Sequence, residues 1–184
     1  IVGGRAHGPA ARLVLGSVAD EVLHAATCPV MLVPGTATSG TTLDRVVVGI
    51  DGSRHSRTAL RWAADAADRY SVPLQAVHAW MLATLPSHPP LGHVPPVTDY
   101  EASAARWLAE EVAEHLPRDH GLKVELLTPH EYASAALLDA AGPSALLVVG
   151  ARGQGGFSGL LLGSVAAQCA RHTRGPLVVV HDRA

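Results

Sequence analysis

Short apolar runs alternate along this chain with longer segments in which apolar residues recur every three or four positions. Arg45–Ile50 (RVVVGI), Pro73–Trp80, Lys123–Leu127, Ala145–Val149 and Pro176–Val180 have the length and β-branched content of strands. Ser56–Tyr70, Asp99–Leu116, Glu131–Ala140 and Ser164–Thr173 have helical spacing, the first with Leu60, Ala63, Ala64 and Ala67 on one stripe. Leu85–Val97 is rich in proline, which predicts a loop. The resulting order is βαβαβαβαβ. Strands that are apolar throughout need cover on both faces, so the pattern predicts a doubly wound α/β fold with a parallel sheet. Ligands of such folds bind outside the carboxyl ends of the strands, beside the point where strand order reverses.

A repeat organises the chain. The segment from Val2, VGGRAHGPAARLVLGSVADEV, matches the segment from Val149, VGARGQGGFSGLLLGSVAAQC, at an offset of 147 residues (149 minus 2). Gly3, Arg5, Gly8, Gly16, Ser17 and Val18 recur as Gly150, Arg152, Gly155, Gly163, Ser164 and Val165, and the register holds to Pro29 and Pro176. Residues 1–33 therefore correspond to the end of one unit, and residues 44–184 to a second unit seen whole. PGTATSGTT, within 34–43, has the composition of a flexible linker. The chain opens on Ile1-Val2 inside a strand end, so a natural start is expected upstream. Ile1–Ala11, without its sheet, is expected to lack order.

Composition narrows the function. Hydrophobic residues make up 48% and charged residues 16% of the 184, against about 25% charged in an average domain, which fits elements buried on more than one side. A net charge of −2 and a pI near 6.6 provide no basic field for nucleic acid or anionic lipid. Lys123 is the only lysine and sits among strand-like residues, which excludes a lysine-dependent phosphate loop. Cys28 and Cys169 form no framework or CxxC spacing, pointing to a reducing, cytoplasmic setting. No apolar run approaches 18 residues and no secretory leader is recognisable, so no membrane attachment is expected.

Three features converge at the predicted strand ends. They are Asp51-Gly52-Ser53 after the first strand, His78-Ala79 after the second, and Gly150-Ala151-Arg152-Gly153 with Gly163-Ser164 after the fourth. Gly150 and Gly153 carry no side chain, so a ligand can lie against the backbone, and both tolerate positive φ. Gly163-Ser164 falls where the last helix begins, and a helix N-terminus offers unpaired N–H groups and partial positive charge to phosphate. The Ser164 hydroxyl can donate once more, and Arg152 supplies the cation.

The spacing Gly150-x2-Gly153-x9-Gly163-Ser164 resembles the ATP-binding signature of the universal stress protein family. VVVGIDGS at Val46–Ser53 and VHAW at Val77–Trp80 are similar to that family too. The likeness covers Asp44–His181 in full and Val2–Val33 as a partial copy. It implies a Rossmann-like five-stranded parallel sheet of order 3-2-1-4-5, of the adenine nucleotide alpha hydrolase-like kind, paired through its last strand into a homodimer or an intramolecular pseudo-dimer. It further implies a nucleotide-dependent stress-response or signalling module read by a partner, with ATP as the ligand and Mg²⁺ only as carried by the phosphates. Asp51, with Gly52 and Ser53 in its turn, would face the nucleotide, and the Ala79 backbone would meet adenine. Gly150 and Gly153 would flank the ribose and phosphates, and Gly163, Ser164 and Val165 would hold the phosphates. The first copy has Ala6 where the second has Gly153, so one nucleotide per chain is expected. Pairing of Pro29–Val33 antiparallel to Leu177–Val180 would imitate the family's dimer contact and cover an exposed edge.

Plainer readings stand beside these. Asp51 suits a turn, Ser164 a helix cap, and Cys169 a core stripe with Leu162, Val165 and Ala166. His88 and His93 lack the spacing of a zinc site, so no protein-held metal is expected. Trp80, Trp107 and Tyr100 suit packing of the proline-rich loop. Two alternative functions remain: a slow ATPase in which Asp51 or His78 positions water, and an interaction domain that binds no nucleotide.

Overall fold

The computed structural model describes residues 1–6, 13–14, 16–35, 42–81, 97–116, 121–155 and 161–182. In chain order the elements are β1 (Val2–Ala6), β2 (Leu13–Val14), α1 (Ser17–Ala25), β3 (Val30–Pro34), β4 (Arg45–Gly49) and α2 (Arg54–Tyr70). There follow β5 (Leu74–Val77), α3 (Val97–His115), β6 (Val124–Leu127), α4 (Ala133–Ala141), β7 (Ala145–Gly150), α5 (Ser164–His172) and β8 (Leu177–Val180).

The strands lie in the order β2-β1-β3-β8-β7-β4-β5-β6. The five strands of the complete unit, β8-β7-β4-β5-β6, are parallel to one another. Numbered within that unit they run 3-2-1-4-5 from the β6 edge, as the family resemblance implies. β4 is central: Val47 faces Gln75 of β5 on one side and Leu147 of β7 on the other. Strand order reverses between β4 and β7, and their carboxyl ends frame a crevice there.

Alternate strand residues feed two cores. Val47, Leu147, Val149, Leu177 and Val179 pack under α4, α5 and α1, while Val46, Val48, Leu146, Val148 and Val178 pack under α2 and α3. The period of two in the side chains is what lets one apolar run serve both layers. α2 buries the stripe read from the sequence, Leu60, Ala63, Ala64 and Ala67, together with Ser56, Ala59 and Ala66. Its outer side is tied to α3 by Arg57, whose Nε donates to Glu111 Oε1 at 2.6 Å.

The N-terminal residues join the same sheet. β3 pairs antiparallel with β8, with Val30 opposite Val179 and Leu32 opposite Leu177, so the expected covering of the last strand is realised within one chain. Ala19 and Leu23 of α1 and Val30 and Leu32 of β3 are buried in one cluster with Leu177 and Val179. His181 adds a polar tie, with Nδ1 at 3.1 Å from the Cys28 carbonyl and Nε2 at 2.9 Å from that of Leu23. The repeat has a structural counterpart: α1 and α5 are each nine residues long, starting at Ser17 and Ser164, 147 residues apart.

Two expectations are corrected. Ile1–Ala11 was expected to lack order, but Val2–Ala6 forms β1, parallel to β3 and antiparallel to β2. β3 supplies the hydrogen-bonding partner that orders β1. Residues 7–11 lie outside the described residues. Pro34, assigned to the linker, is the last residue of β3, opposite Gly4. The proline-rich stretch Leu85–Val97 lies outside the described residues apart from its last residue, Val97, which opens α3.

Candidate functional site

At the switch point a cavity of about 480 Å³ opens, within the roughly 300–1,000 Å³ usual for small-molecule sites. Its walls come from the ends of β4 (Gly49, Ile50, Asp51), β5 (Val77, Ala79) and β7 (Val149, Gly150), from the loop Arg152–Gly155, and from Gly163–Ala166 at the start of α5. Ser56 of α2 and Ala133 and Leu137 of α4 complete it. Of the residues the sequence singled out, Asp51, Ala79, Gly150, Arg152, Gly153, Gly163, Ser164 and Val165 line this one space. Gly52 and Ser53 do not.

Those two shape the turn. Gly52 has φ +78°, a left-handed conformation that favours glycine, with Trp107 close by. Ser53 is the N-cap of α2: its Oγ accepts from the Ser56 N–H at 3.1 Å. The same hydroxyl donates to the Arg152 carbonyl at 3.4 Å, reaching from one side of the crevice to the other.

Asp51 is the centre of that connection. Oδ1 accepts from the Ser53 N–H and Oδ2 from the Gln154 N–H, both at 3.0 Å. Burial pushes the Asp51 carboxyl up, but the hydrogen bonds from Ser53 and Gln154 outweigh it and hold the group below its ordinary value. It is a carboxylate at neutral pH.

The positive φ that the sequence reading allowed for is not used, and the glycines have a further reason. Neither Gly150 nor Gly153 adopts positive φ. A Cβ on Gly150 would sit 2.8 Å from the backbone of His55, so that glycine lets the start of α2 close onto β7. A Cβ on Gly153 would sit 2.5 Å from Asp51 Oδ2.

α5 begins at Ser164 with Gly163 as N-cap at φ −74°, ψ 156°, which makes no side-chain cap hydrogen bond. Ser164 is therefore not the cap, which removes one plain reading of it. The first N–H groups of α5 have no intrahelical acceptor and belong to residues on the cavity wall. With Arg152 on the same wall, this end of the cavity suits an anion, while Val77, Ala79, Leu137 and Val149 make the rest apolar. The lining thus fits a ligand with a flat apolar part and a phosphate.

His78 lies elsewhere. Its Nδ1 is 2.9 Å from the Ile50 carbonyl and its ring lies 4.3 Å from that of Trp107; it does not line the cavity. Trp80 is engaged by the Thr128 carbonyl and stacks on His130. Cys169 is fully buried, and burial pushes its thiol up to about 12, so it acts as core. His88 and His93 lie outside the described residues. The sequence reading missed Ile50, Gln154, Gly155, Ala133 and Leu137. Gln154 and Gly155 adjoin the glycine motif and were within reach; Ala133 and Leu137 arrive from α4, which nothing local connects to the site.

Residues 1–34 and 42–181 match the universal stress protein family. A universal stress protein of Mycolicibacterium smegmatis is 37% identical over 185 residues, covering 100% of this chain and 61% of that protein. One from Mycobacterium tuberculosis is 32% identical over 171 residues, covering 92% and 56%. The chain thus spans less than two thirds of the length of these curated relatives. Among solved structures, a universal stress protein in complex with cAMP is 26% identical, with a TM-score of 0.53 over 76% of this chain and 98% of that one. A universal stress protein from Archaeoglobus fulgidus, 20% identical, shares the fold with a TM-score of 0.65 over 97% of this chain and 60% of its own. A sheet of this order, a cavity at its switch point and a family match over nearly the whole chain lead to one conclusion: this chain belongs to the universal stress protein family.

Proposed function

We propose that the complete unit binds ATP and acts as a nucleotide-dependent module of a stress response, its occupancy read by a signalling partner. The observation that carries this reading is the start of α5, where a helix N-terminus without a side-chain cap forms the wall of a cavity that also holds Arg152. Phosphate is the group that such an end stabilises best. Gly163, Ser164 and Val165 would hold the phosphates, Arg152 would balance their charge, and Ala79 with its apolar neighbours would take the adenine. Mg²⁺ would arrive with the phosphates.

Hydrolysis has less support. Of the two side chains it would use to position water, His78 does not line the cavity, and both Asp51 oxygens already accept backbone N–H groups. We read residues 1–33 as the closing part of a second unit and the β3–β8 ladder as an intramolecular pseudo-dimer contact. A reducing, cytoplasmic setting fits the two unpaired cysteines. Among the described residues no helix is long and apolar enough to cross a membrane.

Titration calorimetry and thermal unfolding with millimolar ATP test the reading. A ligand that binds only the folded state adds about 2.7 kcal/mol of stability at a hundred times its Kd. No heat and no rise in the unfolding midpoint would end it. Mass spectrometry of copurifying nucleotide, with cAMP as competitor, would separate ATP from other adenylates.

A further inference from the structure

We propose that Asp51 is a positioning residue: its carboxylate clamps the loop after β7 onto the turn after β4, and residue 153 is glycine because any side chain there would evict that clamp. The inference concerns the loop in the absence of ligand. It deepens the nucleotide reading, on which only its binding arm rests.

The two segments are 103 residues apart in sequence and meet at Asp51 Oδ2, which accepts from the Gln154 N–H at 3.0 Å. The other oxygen accepts from the Ser53 N–H, also at 3.0 Å. A second strut runs beside the first, from Ser53 Oγ to the Arg152 carbonyl. The turn after β4 therefore grips the loop at residues 152 and 154, one on either side of Gly153. Both bonds to Asp51 are donated by backbone N–H groups, so the group between them must accept twice. A carboxylate does so; a carboxamide would turn an NH₂ toward one of the donors.

Gly153 supplies the independent observation. A Cβ there would lie 2.5 Å from Asp51 Oδ2, well inside contact distance. The space around residue 153 is closed by the protein's own carboxylate before any ligand is present. The repeat gives a contrast, since the first copy carries Ala6 at the corresponding position.

The test is a double-mutant cycle on the nucleotide-free chain, using Asp51→Ala, Gly153→Ala and both together, read by unfolding midpoint and by exchange of the Gln154 amide. Each single variant should lower the midpoint and speed Gln154 exchange by about tenfold, the scale of a lost hydrogen bond to a charged acceptor. The double variant should match Asp51→Ala alone, because Gly153→Ala no longer meets a carboxylate. Equal damage from Gly153→Ala in both backgrounds would overturn the proposal. Asp51→Asn keeps the shape of the side chain and serves as a check on folding: its one oxygen can accept from only one of the two donors, so exchange of the Ser53 or the Gln154 amide should speed, and unchanged protection of both would overturn the clamp. With ATP added, the Asp51 variants should bind more weakly than the parent. Loss of ATP binding by the parent chain, with the cycle still coupled, would sink the nucleotide reading and leave the clamp standing.

Discussion

His55 shows how single residues report on the site. Burial first, then the Arg152 guanidinium, with Arg54 and His181 adding, hold its imidazole below the ordinary histidine value; Asp182 works against them. The folded-state pKa is depressed, so the charged form is the disfavoured one: the stability this group contributes is present above the ordinary histidine range and is lost as pH falls through it. Phosphates at Arg152 would offset that guanidinium's repulsion. An NMR titration of the His55 ring, assigned with a His55→Gln variant, should show its pKa rising when ATP is added. An unmoved titration would mean that no anion settles beside Arg152. Asp51 has the same sign of shift with a different cause, since donated N–H groups favour its charged form. Its contribution is in place above the ordinary aspartate value and is lost as pH falls below that value through the lowered folded one.

At the level of elements, α5 combines two jobs that pull apart. Its second half packs Cys169 and Ala170 into the core, while its N-cap, Gly163, offers no side-chain hydrogen bond to the first turn. A helix gains about 0.3–1 kcal/mol from a negative side chain in its first turn, so Ser164→Asp should leave the unfolding midpoint unchanged or slightly raised. The same carboxylate would stand where phosphate is proposed to bind, and calorimetry should show ATP affinity falling at least about tenfold. A variant both destabilised and binding normally would contradict the assignment of this helix end. α2 shows the opposite arrangement: Ser53 caps it, its Oγ accepting from the Ser56 N–H. The helical periodicity of both was plain in the sequence. Which of the two N-termini stays uncapped was not, because Gly-Ser and Asp-Gly-Ser each place a serine near a helix start.

Among the described residues one eight-stranded sheet takes strands from two stretches of chain, 2–34 and 45–180. Leu32 of β3 is fully buried against Leu177 and Val179, so Leu32→Ala should cost about 2–5 kcal/mol. It should also speed amide exchange in β8 as well as in β3. Exchange confined to β3 would mean that the two stretches fold independently. The sequence alone determined the alternation of strands and helices, the 147-residue repeat, the strand order through family resemblance, and the gathering of the glycine motif with Asp51. Apart from the strand order, which only the resemblance implied, these follow from side-chain period, internal identity and motif spacing, which can be read along the chain. Tertiary structure decided why the glycines are there: the His55 backbone excludes a side chain at 150, and the Asp51 carboxylate excludes one at 153. It also brought Ala133 and Leu137 of α4 to the cavity wall, placed β1 beside β3, and turned His78 toward the Ile50 carbonyl. Each of these is a meeting of segments far apart in sequence, set by steric exclusion and hydrogen-bond pairing once the sheet has formed, and no local pattern encodes them.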